Sequence, residues 1–76
     1  MKERRSKVQI LVDILRLVQR KGGRAKSTHI LYGANLSHKR LKMYLDTLLE
    51  NEFLTMVTVS GWIFYQITPK GVKFIV

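Results

Sequence analysis

The spacing of apolar residues changes near residue 52, and this change limits the fold more than any other feature of the sequence. Before it, apolar residues recur every three or four positions, which is typical of helices that bury one face. After it, segments are rich in Thr, Val, Ile and aromatic residues, which favour strands. Because 76 residues fit one domain, we expect a single α+β unit, with helices first and a hairpin after them.

The first helix is predicted to begin at Lys7, after a charged segment that we interpret as a flexible basic arm. Ser6 and Gln9 have capping-box spacing, in which the serine side chain accepts a hydrogen bond from the backbone three residues later. Gly22-Gly23 is expected to end the helix. One apolar stripe is predicted to be buried, comprising Ile10, Leu11, Ile14, Leu15 and Val18.

A loop over residues 22–26 and a short second helix are expected next. Either Ser27 or Thr28 is suited to cap this helix, which runs through residues 29–32. The sequence Gly-Ala-Asn at residues 33–35 is predicted to break it. Gly and Asn tolerate the positive φ that a sharp turn often requires.

The third helix is predicted from Ser37, a good N-cap residue, to Asn51. Its basic residues crowd the first two turns, whereas Glu50 comes at the far end. The helix macrodipole favours the opposite arrangement. An anionic partner explains cations at this end, and a charged face that meets only water is the alternative. The predicted buried stripe is Leu41, Tyr44, Leu45, Leu48 and Leu49.

The last part of the chain is predicted to be a β-hairpin and a short helix. Phe53–Val59 and Trp62–Thr68 are the expected strands, joined by Ser60-Gly61. Thr68-Pro69 has the residue types that begin a helix. A two-residue turn pairs Val59 with Trp62 and leaves apolar side chains on both faces near the tip.

Three interpretations of this two-sided hairpin stay open. In the first interpretation, the predicted register is off by one residue, and the two faces of the hairpin are exchanged. Alternatively, the face with Val57, Val59, Trp62 and Phe64 is buried between two subunits. In the third interpretation, Trp62 at the tip packs on the backbone or in the minor groove of DNA, since the net charge of +9 favours a polyanion as partner.

Charge indicates the class of partner. The chain has 14 Lys and Arg against 5 Asp and Glu, for a formal net charge of +9. Such a surface attracts polyanions, with nucleic acid the first expectation and an anionic membrane the second. A protein that is merely basic is the remaining alternative. RNA is not favoured, because no aromatic-studded sheet motif for stacking bases is evident.

Other functions are disfavoured by residues that the chain lacks. Without Cys there are no disulfides, thiolate nucleophiles or Cys-based zinc sites. Neither His29 nor His38 has a partner at metal-ligand spacing, and no catalytic pairing of carboxylates or of Ser, His and Asp is evident. No stretch resembles a signal peptide or a membrane span. We expect an intracellular protein that is not an enzyme and uses no metal, cofactor or small-molecule ligand.

The order helix, short helix, tight turn, longer helix and hairpin is that of a winged helix-turn-helix, whose later helix enters the DNA major groove. The chain also resembles the small basic winged-helix DNA-binding proteins of archaea, which include chromatin-associated proteins and regulators, some encoded by viruses and plasmids. The resemblance rests on residues 4–7 and 10–15, on Ile30–Ser37 (ILYGANLS) and on Thr68–Gly71 (TPKG). It implies DNA binding, a dimer and no catalysis. Chromatin-type members dimerise through a long extension of the last helix, which we expect to be absent here because the sequence stops at Val76.

The combined prediction is a flexible arm (residues 1–6) and a winged-helix domain (residues 7–76) that binds double-stranded DNA as a homodimer and regulates transcription. The alternatives are an architectural or nucleoid DNA-binding protein, and a protein-interaction winged helix that uses the apolar hairpin. The predicted DNA contacts are Ser37, His38, Lys39, Arg40, Lys42, Met43, Arg24, Lys26, Thr28, Arg4, Arg5, Ser60 and Trp62. The predicted dimer interface is Val57, Val59, Trp62, Phe64, Phe74 and Ile75.

Overall fold

The computed structural model of the chain describes residues 5–76 and confirms the α+β winged-helix fold. Four helices and three strands follow one another in the predicted order, apart from one additional strand. The helices are α1 (Lys7–Arg20), α2 (Ser27–Gly33), α3 (His38–Glu50) and α4 (Pro69–Ile75). The strands are β1 (Arg24–Ala25), β2 (Leu54–Val59) and β3 (Trp62–Ile67).

Three helices begin at the side-chain caps that the sequence predicts. Each cap oxygen accepts a backbone N–H three residues later: Ser6 from Gln9 (3.1 Å), Ser37 from Arg40 (3.3 Å) and Thr68 from Gly71 (3.0 Å). The prediction for α2 was wrong, because Lys26 is the N-cap and makes no side-chain cap bond. Ser27 is already helical, since the extended strand β1 ends just before Lys26.

The sheet has three strands in the order β1-β3-β2, where two were predicted. The segment 22–26, expected to be a loop, contains β1, whose Arg24 lies opposite Gln66 and whose Ala25 lies opposite Tyr65. Strand β1 is only two residues long. Its backbone is therefore specified by pairing with β3 rather than by the propensity of its own residues.

The hairpin of β2 and β3, which we call the wing (residues 54–67), has the predicted register. Val59 pairs with Trp62, and Val57 with Phe64, which rules out the one-residue shift. Ser60 and Gly61 adopt φ values of 52° and 82°. Two successive positive φ values are the signature of a type I′ turn, whose twist suits a two-residue hairpin.

The core lies between the first three helices and the inner face of the sheet. All five residues of the predicted α1 stripe are buried, and Leu17, outside that stripe, is buried as well. Leu17 is buried because it packs against Gly33, where a Cβ would lie only 2.7 Å from Leu17 Cδ2. Gly33 is therefore helical and needed for close packing, and the positive φ of this turn falls on Asn35 (57°).

Helix α4 closes the structure against the base of the wing. The rings of Phe53 and Phe74 stack with their centroids 4.5 Å apart. Gly71 is buried against the carbonyl oxygen of Phe53, where a Cβ would clash. Thr68 caps the helix and also donates a hydrogen bond to the Glu52 carbonyl at 2.6 Å. In the part of the chain that the structure describes, no helix has the length and apolar character needed to cross a membrane.

Candidate nucleic-acid interface

The first turns of α3 present the predicted basic cluster to solvent. Ser37 caps the helix, Leu41 anchors it in the core, and residues 38–40, 42 and 43 are exposed. The first turn holds no acidic residue, so positive charge adds to the positive end of the helix macrodipole. The structure thus brings together six predicted residues at one helix start: Ser37, His38, Lys39, Arg40, Lys42 and Met43.

The cations of this cluster make only weak contacts within the protein. Lys42 Nζ lies 3.9 Å from Asp46 Oδ2, and both side chains are mostly exposed. Arg40 donates to the Tyr44 hydroxyl at 3.5 Å. The exposed Lys42–Asp46 pair contributes about 1 kcal/mol or less, and the hydrogen bond of Arg40 is longer than usual. An anionic partner can therefore replace both contacts at little cost.

Arg5 holds the turn that precedes α3. One of its guanidinium nitrogens donates to Asp13 Oδ2 on α1, and the other donates to the Ala34 carbonyl at the end of α2, both at 3.0 Å. Gln9 donates to the second Asp13 oxygen at 2.8 Å. Arg5 was predicted to contact DNA, and in the structure its hydrogen bonds join α1 to the end of α2. Arg4, also a predicted contact, lies outside the described residues, as does the rest of segment 1–4.

A groove separates α3 from the sheet. It has a volume of about 330 Å³. One cationic side chain (Lys42), one carboxylate (Asp46) and two hydroxyl groups (Ser27 and Tyr65) lie along it. The exposed Thr28 follows Ser27 in the chain. The described residues contain no group of three potential metal ligands in one place. The groove is lined by Ser27, His38, Leu41, Lys42, Leu45, Asp46 and Tyr65.

The sheet gathers three further predicted contacts on one surface. Lys26 Nζ lies 4.1 Å from the centre of the Trp62 ring, and Arg24 is exposed on the same side. Sequence reasoning missed this arrangement because it assigned residues 22–26 to a loop. The sequence signal that could have predicted a strand here is the alternation of Arg24 and Lys26 about the apolar Ala25. We call this surface the outer sheet face; it comprises Arg24, Lys26, Thr55, Val57, Val59, Trp62, Phe64 and Gln66. Ser60 is exposed at the adjoining turn.

The residues predicted for a dimer interface fall into two groups. Phe74 stacks on Phe53, and Ile75 packs against the core, so both have partners within the chain. On the outer sheet face, Val59 and Trp62 are exposed, whereas Val57 and Phe64 are half-buried.

With this geometry described, comparison with known proteins identifies the family. The family model for the winged helix-turn-helix matches residues 4–76, and the chain belongs to this family. An uncharacterized protein of Methanocaldococcus jannaschii, MJ0290, is 38% identical over 68 residues. That match covers 90% of this chain and 29% of the relative, so the chain spans less than a third of that protein.

Several solved structures share the fold, and two of them are described as DNA-binding proteins. Sso10a-2 of Sulfolobus solfataricus, described as a DNA-binding protein, superposes with a TM-score of 0.83 at 30% identity. The match covers 93% of this chain and 72% of Sso10a-2. F93 from STIV, a viral winged-helix DNA-binding protein, gives a TM-score of 0.76 over 95% of this chain and 84% of its own. Its identity of 17% supports likeness of fold alone.

Proposed function

We propose that the protein binds double-stranded DNA with α3 in the major groove and acts as a transcription regulator. The observation that carries the proposal is the exposed basic cluster at the start of α3. In a helix-turn-helix, the N-terminal residues of the second helix face the base edges. The cations at the start of α3 are unfavourable for the helix macrodipole, but they lie at the end of the helix that faces the DNA in this mode of docking.

The surroundings of α3 support the same docking. The groove beside it is lined by His38 and Lys42 on α3 and by Tyr65 on the sheet. Asp46 also lines it but is paired with Lys42 at 3.9 Å, so the end of the groove near the start of α3 is the part suited to a sugar–phosphate backbone. Beyond it, the wing carries Ser60 at an exposed turn, where a wing meets the neighbouring part of the duplex. The DNA-binding description of Sso10a-2 makes DNA the preferred polyanion.

The homodimer stays a prediction. Two copies related by a two-fold axis would present two α3 helices and favour palindromic sites about one helical turn apart. Because Phe74 and Ile75 already pack within the chain, they offer less surface to a second copy than the sequence suggests. Sedimentation equilibrium at micromolar concentration tests the dimer directly.

Titration of a labelled duplex at several salt concentrations tests the proposed function. Neutralising phosphates releases counterions, so log K should fall linearly with log salt, with a slope of about −0.9 per phosphate contact. A winged helix that instead binds protein through its apolar wing would show no such binding to DNA. Footprinting on genomic fragments then separates a regulator, which protects discrete sites, from an architectural protein, which protects DNA evenly.

A further inference from the structure

Two aromatic rings lie side by side on the outer sheet face. Trp62 and Phe64 alternate along β3 and therefore point to the same side, with Cα atoms about 6.6 Å apart. Trp62 is 61% exposed and Phe64 is half-buried. Rings at alternate positions of one strand are how sheet-based modules stack successive unpaired bases, so the register forms an aromatic motif that was not evident from the sequence.

Positive charge surrounds these rings. Lys26 Nζ lies 4.1 Å from the Trp62 ring centre and 5.9 Å from that of Phe64. Arg24 is exposed opposite Gln66, and the residues that the strand register places on this face include no Asp or Glu. A second copy of the chain would bring like charges together across the interface. Charge complementarity therefore favours an anionic partner that also has flat apolar surfaces.

We propose that the outer sheet face binds single-stranded DNA, with bases stacked on Trp62 and Phe64 and phosphates held by Arg24 and Lys26. Base stacking on aromatic side chains, combined with a basic surface along the backbone, is the general chemistry of single-strand recognition. An intact duplex is a poor match because its bases are already stacked on one another. The proposal goes beyond duplex binding, which uses the start of α3.

The two sites lie on different sides of the sheet. Tyr65, on the inner face, lines the groove beside α3, whereas its neighbours Phe64 and Gln66 point outward. Lys26 leaves α2 at its N-cap and reaches over the Trp62 ring. It orients the ring when no DNA is bound, and its ammonium can turn to a phosphate as a base stacks. One chain can thus hold a duplex and a single strand together.

Trp62 reports on this site directly, because it is the single Trp of the chain. The probe is oligo(dT) of about ten nucleotides, which lies within the usual site size of single-strand binders. We expect saturable quenching of Trp62 fluorescence, with a salt slope of about −0.7 per phosphate contact. Binding of the oligonucleotide without any change in Trp62 fluorescence would overturn the proposal.

Variants assign the stacking contact. Trp62→Leu should weaken oligo(dT) binding about tenfold, since one stacked base is lost, and Trp62→Phe should recover most of it. Tyr32→Leu is the matched control, because Tyr32 is an aromatic residue 80% exposed on α2, away from the sheet. Anisotropy of a labelled oligonucleotide measures all three. Equal affinity of Trp62→Leu and wild type would contradict the proposal.

Further arms separate this site from its alternatives. The double variant Lys39→Ala, Lys42→Ala should lose duplex binding and keep oligo(dT) binding. A failure of the proposed duplex binding by α3 can therefore be distinguished from a failure of the single-strand site. Excess duplex should not displace oligo(dT), and competitive displacement would overturn the separate site. Tighter binding of oligo(rU) would reassign the face to RNA. A wild-type dimer that becomes monomeric on Trp62→Lys would assign the face to a second copy and also overturn the proposal.

Discussion

The three-helix unit (α1, α2 and α3) and the wing are held in place by different means. In the former, α1, α2 and α3 share a closed core, and Arg5 ties α1 to the turn before α3 through hydrogen bonds of 3.0 Å. In the wing, only the base packs on the core. Met56 and Ile63 on the inner face are each 51% exposed, and Trp62 on the outer face is 61% exposed.

This contrast separates what a protein needs for folding from what it offers to partners. Packing among the helices holds α3 rigidly, as a helix that contacts base edges requires. The wing keeps apolar side chains in water on both faces, and folding alone does not account for them. Exposed apolar surface next to positive charge is more often an interaction site than a packing defect.

The largest contrast is expected in stability. Leu48→Ala removes a fully buried side chain of α3 and should cost about 2–5 kcal/mol of unfolding free energy. Ile63→Ala, at the exposed tip of the wing, should cost less than about 1 kcal/mol. Thermal unfolding followed by circular dichroism measures both. Similar losses for the two variants would show that the wing is packed as tightly as the helices.

The junction between the two regions should be almost as sensitive. Gly71→Ala places a Cβ against the Phe53 carbonyl at the base of the wing, and overpacking of this kind costs about 1–3 kcal/mol. Gly61→Ala serves as a control for loss of glycine in a turn with open space around it. Because Gly61 has φ of 82°, its variant should report backbone strain alone. A neutral Gly71→Ala would mean that α4 shifts freely on the wing.

A pair of charge-neutralising variants tests whether Arg5 positions the helix-turn-helix. Asp13→Asn weakens the ion pair with Arg5. If the pair contributes about 1 kcal/mol to the placement of α3, duplex affinity should fall about fivefold although the protein becomes more positive. Asp46→Asn frees Lys42 from its exposed pair and should raise affinity. Anisotropy titrations of one duplex compare them under conditions where both are folded. Tighter duplex binding by both variants would show that Arg5 contributes only its charge and does not position the helix-turn-helix.

The wing turn should give the smallest effect. Ser60 has φ of 52°, a conformation that Asn adopts more readily than Ser, and Asn-Gly is the preferred type I′ pair. Ser60→Asn should therefore stabilise the protein by about 0.5 kcal/mol or less. Ser60→Val should destabilise it, because a β-branched residue is strained at positive φ. The melting temperatures of the two variants should lie on opposite sides of the wild-type value.

Local sequence signals predicted most of the fold. Cap residues marked the starts of three helices, and the Ser60-Gly61 turn set the register of the wing. What could not be predicted depends on contacts distant in sequence. Strand β1 exists because β3 pairs with it, and Gly33 is needed because Leu17 lies beneath it. Arg5 looks like any cation of a basic arm until Asp13 and Ala34 are seen beside it.

Duplex binding by two charge-matched double variants tests the central claim most directly. Lys39→Ala, Lys42→Ala removes two cations from the start of α3, and Arg16→Ala, Lys73→Ala removes two exposed cations from α1 and α4. If α3 enters the major groove, only the first variant should lose affinity strongly, and its salt slope should shrink by about 0.9 for each phosphate contact removed. Equal losses and equal slopes in the two variants would contradict the account, because binding would then follow net charge and not the docking of α3.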